Sequence, residues 1–249
     1  MHTEALKELL FKLADDHLVL GHRNSEWTGI GPLLEEDIAF ASMAQDKVGQ
    51  SRVFYNMLTE LGETDADTLA FMRSADKMRC CQFTELPIGE YDFSTVRHFL
   101  FDHADLLRME MLRECSYTPL ALAARKMYGE IRYHVMHADT WMKQLGNADA
   151  ETITRMQAAL DYAWPYALGM FESSEYEDEL KAEGIFEGES VLQTKWMASV
   201  MKTLAATRLT VPTGPPPVYG GRKGIHTEYL LQLVDEMGEV FRLDPSAEW

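Results

Sequence analysis

The chain has 249 residues, of which 46% are hydrophobic, so it can bury a sizeable core and most of it is expected to be ordered. Its 40 acidic and 23 basic residues give a formal net charge of −17. This charge argues against broad binding to nucleic acid or to an anionic membrane surface, because both need clustered positive charge.

The cysteines and the first residues indicate a cytoplasmic protein. Cys80, Cys81 and Cys115 form neither an even-numbered disulfide framework nor a repeated C-x-x-C pattern, and are typical of reduced thiols. The first residues, MHTEALKELLFKLADD, lack the basic segment and hydrophobic block of a signal peptide. No apolar run approaches the ~18 to 20 residues that a membrane-spanning helix needs.

Apolar residues recur at three- and four-residue spacing along the chain, whereas alternating strand patterns are nearly absent. The sequence therefore predicts an all-α fold in a single domain, residues 1–249. A Pro/Gly-rich loop is predicted at 211–224, before the last helix, because its prolines cannot continue a helix. The predicted helices span residues 4–20, 34–61, 66–83, 94–115, 119–145, 150–172, 189–209 and 225–242.

The predicted helix at 34–61 is apolar on two faces. Such a helix is buried on both sides, which is typical of the interior of a large bundle or of a bundle face covered by another subunit. One face, the apolar stripe, consists of Leu34, Ile38, Ala41, Ala44, Val48, Tyr55 and Leu58. The other face, the inward row, consists of Phe40, Met43, Lys47, Gln50, Phe54 and Met57.

Two polar residues, Lys47 and Gln50, interrupt the inward row, and the helix at 119–145 points His134 inward one turn after Ile131. Ferritin-like di-iron proteins place Glu-x-x-His pairs at this spacing on two helices, so that both ligands face the core together. Here the equivalent pairs are Lys47-x-x-Gln50 and Ile131-x-x-His134, and each lacks the glutamate. A lysine ammonium would repel Fe(II). These four positions therefore predict a degenerate metal site that holds no metal.

A buried ammonium needs a compensating charge, since burying an unpaired one would cost several kcal/mol. We therefore expect Lys47 to be buried and paired with one acidic neighbour. The candidates are Asp46, Glu36 and Asp102.

The pattern alone leaves alternatives open. A lone inward histidine is more often a hydrogen-bonded core residue than a metal ligand. A metal-binding ferritin-like oxidase or iron-storage protein would use Asp102, Glu130, His134 and His137, but the helix at 34–61 offers no carboxylate and imidazole pair at the required spacing. A structural interaction module unrelated to oxygenation is a third interpretation.

Four segments together carry a resemblance that covers essentially the whole chain, which ends in Trp249. In these segments, the chain resembles the C subunits of the ring-1,2-phenylacetyl-CoA epoxidase (phenylacetate-CoA oxygenase) complex, the PaaC family. The segments are LADDHLVLGHRNSEWTG at 13–29, LEEDIAFASMAQDKVGQSR at 34–52, GEIRYHVMHADTWMKQLG at 129–146 and YGGRKGIHTEYL at 219–230.

The resemblance implies a ferritin-like four-helix bundle core with additional C-terminal helices. It implies a non-catalytic, structural subunit that pairs with a related A subunit, with further oxygenase subunits as additional candidate partners. The A subunit holds the di-iron centre and epoxidises the aromatic ring of phenylacetyl-CoA, with electrons from an NADPH-dependent reductase. No cofactor is then expected in this chain, and its partners would include neither nucleic acid nor a membrane.

A basic loop stands out in this acidic chain. Arg222 and Lys223 lie beside Gly220, Gly221 and Gly224, and two cations near exposed backbone amides can contact a phosphate. With the resemblance, they become candidates for a contact with CoA phosphates or with another subunit near the interface. The alternative is a turn whose cations pair with nearby acids.

Overall fold

The computed structural model describes residues 2–214 and 216–247, which form helices and loops without a β-strand. This confirms the all-α prediction. Trp249 lies outside the described residues. None of the described helices combines the length and apolar content that crossing a bilayer requires. The α-helices are α1 (Thr3–Ser25), α2 (Leu34–Glu60), α3 (Ala66–Phe71), α4 (Gln82–Glu85), α5 (Tyr91–Leu112), α6 (Thr118–Leu145), α7 (Ala150–Leu168), α8 (Glu177–Ala182), α9 (Glu189–Leu204) and α10 (Glu228–Leu243).

The predicted helix at 66–83 is wrong in its second half. α3 ends at Phe71, and the chain then makes a short 3-10 turn and an extended stretch before α4. Two buried acids of α1 explain the break. The backbone N–H of Arg79 donates to Asp15 Oδ2 (2.6 Å), and that of Cys81 donates to Asp16 Oδ1 (2.8 Å). These tertiary hydrogen bonds replace the helical ones that the sequence pattern favours.

The short helix α8 was not predicted. Its sequence, EDELKA, buries only Leu180, so it offers no apolar period from which a helix could be recognised. The predicted loop before the last helix is present, with a 3-10 turn at Gly221–Lys223 and α10 beginning at Glu228. Pro215, within that loop, lies outside the described residues.

The chain divides into two compact units, which we describe separately. Unit 1 comprises Met1–Ala5 and Ile88–Val218, and unit 2 comprises Leu6–Pro87 and Tyr219–Trp249. Unit 2 is therefore built from two segments that are far apart in the sequence. The assignment of residues 1–249 to one domain stays a prediction.

Unit 1 is organised around α5, which packs against α6, α7 and α9. α5 has few exposed side chains because neighbouring helices cover it on several sides. The indole N–H of Trp196, on α9, donates to the carbonyl of Leu100 (2.9 Å). The His103 ring of α5 bridges Ser199 Oγ on α9 (2.9 Å) and Asp139 Oδ1 on α6 (3.0 Å). Polar contacts thus fix the positions of the three helices.

In unit 2, α1 and α2 approach each other closely at Gly21. A Cβ atom there would lie 2.8 Å from a methyl carbon of Val48, so the helices could not pack in this way with a larger residue. Further along the pair, the rings of His17 and Phe54 lie 5.5 Å apart between centroids. The last helix, α10, packs against α3 and α4. The segments before and after unit 1's main segment thus pack together as unit 2.

Candidate functional site

The inward row of α2 is buried in unit 2, as its period predicts. Phe40, Met43 and Phe54 are at most 1% exposed, and Lys47 lies among them in sequence with no exposed surface. Gln50 is 2% exposed. The predicted burial of Lys47 is therefore confirmed, whereas the identity of the acid that compensates it stays a prediction.

The exposure of the apolar stripe differs along the length of α2. Tyr55 and Leu58, in the second half of the helix, are buried. At earlier positions of the stripe, Leu34 is 71% exposed, Ile38 61% and Val48 38%, whereas Ala44 is buried. Burial in the interior of the chain's own bundle, one of the two interpretations of the pattern, is therefore wrong for these three residues. The remaining interpretation of the pattern is a face covered by another subunit.

In unit 1, a buried cluster of histidines and an aspartate joins α5 and α6. His98 and Asp102 lie one turn apart on α5, and His98 Nδ1 contacts the Asp102 carboxylate. His134 Nδ1, on α6, lies 3.9 Å from Asp102 Oδ1. The ring centroid of His98 lies 6.0 Å from that of His134 and 6.2 Å from that of His137. Ile131 is fully buried one turn before His134, as predicted.

The histidine cluster does not form a compact set of metal ligands. A grouping of at least three His, Cys, Asp or Glu ligand atoms within 4.8 Å occurs in the described part of the chain at one place, which involves none of these residues. The alternative metal set of Asp102, Glu130, His134 and His137 is therefore not brought together in this way. What the cluster provides is a carboxylate between imidazoles in a water-excluded interior.

Burial lowers the pKa of His98 below its ordinary value of 6.5, although the Asp102 carboxylate acts in the opposite direction. The His134 and His137 rings also act to lower this pKa. The folded chain therefore holds His98 neutral at pH values where the unfolded chain protonates it. This difference makes stability depend on pH.

We expect the free energy of unfolding to decrease as the pH falls below 6.5, because the unfolded state then binds a proton that folded His98 does not bind. One such proton contributes a slope of up to about 1.4 kcal/mol per pH unit. Substitution of His98→Gln should reduce the slope, as measured by urea unfolding at several pH values between neutral and mildly acidic. Part of it should remain, since burial also lowers the pKa of His22. An unchanged slope would contradict the role of His98.

The basic loop places its two cations differently. Arg222 is buried in unit 2, and its guanidinium binds the Asp16 carboxylate through two hydrogen bonds of 2.8 and 2.7 Å. It also donates to the carbonyl of Arg79 (2.8 Å). For Arg222, this arrangement matches the alternative of a turn whose cations pair with nearby acids. Lys223 is exposed, and a contact with a CoA phosphate or another subunit stays a prediction for it.

The buried acids of unit 2 were not predicted as a group. Asp15 binds the guanidinium of Arg73 and accepts a hydrogen bond from Tyr55 Oη (2.5 Å). Glu85 Oε2 accepts from both the backbone N–H and the hydroxyl of Thr227, each at 2.7 Å, and so holds the residue that precedes α10. The adjacent Asp15 and Asp16 within the apolar row of α1 are the sequence feature that indicates buried acids. The cations that pair with them lie far away in the sequence, so the pattern does not identify those cations.

Comparisons with known proteins identify the family of the chain. The phenylacetic acid catabolic protein family matches residues 1–249, so the chain belongs to that family. A relative from Escherichia coli (strain K12), the C subunit of 1,2-phenylacetyl-CoA epoxidase, is 33% identical over 239 residues, and the match covers 96% of both chains. These matches confirm the resemblance indicated by the four sequence segments.

Proposed function

We propose that the chain is the non-catalytic, structural subunit of a multicomponent phenylacetyl-CoA epoxidase and supports a di-iron catalytic A subunit in phenylacetate breakdown. The observation that carries the proposal is the buried Lys47 in the inward row of α2. A fixed ammonium at a position where di-iron bundles carry a carboxylate disfavours a second cation beside it. The likeness to an epoxidase C subunit over 96% of the chain supports the role of a subunit in such a complex.

The partner surface is proposed to consist of the exposed residues of the apolar stripe, Leu34, Ile38 and Val48, together with apolar residues that precede α2. Ile30 is 62% exposed and Leu33 53%, and they add to the exposed area of Leu34 and Ile38. Apolar side chains so close together in the sequence favour burial by another subunit. In such a complex Lys223 is proposed to contact a CoA phosphate or a partner subunit. The complex would act in the cytoplasm.

Co-expression with the catalytic subunit of the same system tests the proposal. We expect the two chains to co-purify in a fixed ratio, with iron found in the complex and in the catalytic subunit. The chain expressed alone should show no di-iron absorption and should not oxidise phenylacetyl-CoA. A di-iron spectrum or epoxide formation by the chain alone would overturn the non-catalytic assignment. Failure of the two chains to co-purify would overturn the pairing.

A further inference from the structure

A second polar cluster lies in unit 2 and contains none of the four positions that predict a degenerate metal site. Cys80 lies in the extended stretch before α4, Glu85 ends α4, and His226 precedes α10. One ligand atom from each residue lies within 4.8 Å of the others. His226 Nδ1 is 2.6 Å from Glu85 Oε1, and Cys80 Sγ is 3.9 Å from the same oxygen. A thiol, a carboxylate and an imidazole therefore converge on one point.

The other polar atoms of two of these side chains are held in place. His226 Nε2 lies 3.1 Å from the carbonyl of Met78, and because a carbonyl can only accept, Nε2 carries the hydrogen. Glu85 Oε2 accepts from the backbone N–H and hydroxyl of Thr227. Imidazole and carboxylate ligands of metals have such outer hydrogen bonds, which orient the coordinating atoms. Here they direct His226 Nδ1 and Glu85 Oε1 toward Cys80.

We propose that Cys80, Glu85 and His226 bind one Zn²⁺ ion. Thiolate, imidazole and carboxylate are the zinc ligands of proteins, and the thiolate disfavours magnesium and calcium. With three protein ligands, the fourth position of a tetrahedral zinc is open to water. On binding, the ion displaces the thiol proton and any proton shared by His226 and Glu85, and those protons pass to solvent.

The geometry and the charge fit such an ion. Zinc bonds of ~2.0 to 2.3 Å place the ligand atoms of a tetrahedral site roughly 3 to 4 Å apart. The distance from Cys80 Sγ to Glu85 Oε1 already lies in this range, whereas the His226 Nδ1 to Glu85 Oε1 distance must widen by several tenths of an ångström. Cys80 and Glu85 are fully buried, and their two negative charges would neutralise the ion.

This site is separate from the proposed partnership. It uses none of Lys47, Gln50, Ile131 and His134, the positions on which the expectation of no metal rested. That expectation is revised for the Cys80 cluster alone. Zinc binding and the pairing with a catalytic partner can therefore succeed or fail independently.

Cobalt(II) replaces zinc and gives a thiolate-to-metal charge-transfer band, so it serves as the probe. The full-length chain is freed of metal with a chelator and titrated with Co²⁺, and bound metal is counted by mass spectrometry. We expect one Co²⁺ per chain, a charge-transfer band, and displacement by Zn²⁺. Cys80→Ala should abolish the band and weaken binding at least about tenfold. Cys115→Ala, which removes a half-buried thiol of unit 1, should change neither.

Cys80→Ser gives a second test if the alanine variant does not fold, because it keeps the volume and removes the thiolate. Absence of the band in the wild-type chain overturns the proposal, and so does its persistence in either Cys80 variant. Cobalt bound in the wild-type chain without a charge-transfer band would place the metal elsewhere and would equally overturn it.

Discussion

Replacing Arg222 by methionine is expected to lower the free energy of unfolding by about 3–5 kcal/mol, the cost of breaking a buried ion pair by removing one partner. Asp16 would lose its bidentate partner while its side chain stays only 2% exposed. The variant should also loosen the segment around Cys81, whose backbone N–H donates to the same carboxylate. Denaturant unfolding of the full-length chain measures the effect.

Two further variants give this prediction its controls. Lys223→Met removes the neighbouring, exposed cation and should change stability by no more than about 0.5 kcal/mol. Asp16→Asn combined with Arg222→Met removes both charges and should recover part of the loss, because no uncompensated charge remains buried. If Arg222→Met is as stable as Lys223→Met, the pair does not hold the C-terminal segment.

Replacing Ile38 by aspartate is expected to prevent stable pairing with the catalytic subunit. A hot-spot residue near the centre of an interface costs about 2 kcal/mol or more when it is truncated, and burying a charge there adds a further penalty. We expect the dissociation constant to rise at least about 30-fold. Because Ile38 is 61% exposed in the chain alone, the stability of the isolated chain should hardly change.

A matched substitution separates loss of the interface from a general effect of added charge. Leu231 of α10 is 57% exposed, belongs to the same unit and lies outside the proposed surface. Leu231→Asp should leave co-purification intact. If both variants pair normally, the stripe of α2 is not the interface. If both variants fail to pair, the failure of Ile38→Asp is a general effect of the added charge and does not locate the interface at the stripe.

Local periodicity was sufficient to predict the helices that carry the candidate site. The inward row of α2 repeats at helical spacing, and so does the α6 row that contains Ile131 and His134. A period reports which side chains share a face. It does not report how much of that face the rest of the chain covers, which is why the exposure of Leu34 and Ile38 was not predicted.

Contacts distant in sequence were beyond prediction. Arg222 and Asp16 are separated by 206 positions, and no local pattern connects them. The break after α3 has the same origin, because Asp15 and Asp16 take up backbone N–H groups of a segment whose own residues favour a helix. The Cys80, Glu85 and His226 cluster likewise forms only when the C-terminal segment returns to the N-terminal one.

The construction of unit 2 from two distant segments of the chain has a consequence during translation. Residues 6–87 leave the ribosome before residues 88–218, and Arg222 and His226 follow only after both segments. Asp16 and Glu85 therefore lack their final partners while residues 88–218, which supply nearly all of unit 1, are already available to fold. The ion pair of Asp16 with Arg222 and the contacts of Glu85 with His226 and Thr227 can form only after the segment that follows residue 218 has been synthesised. A chain truncated before residue 219 would lack these contacts of both acids.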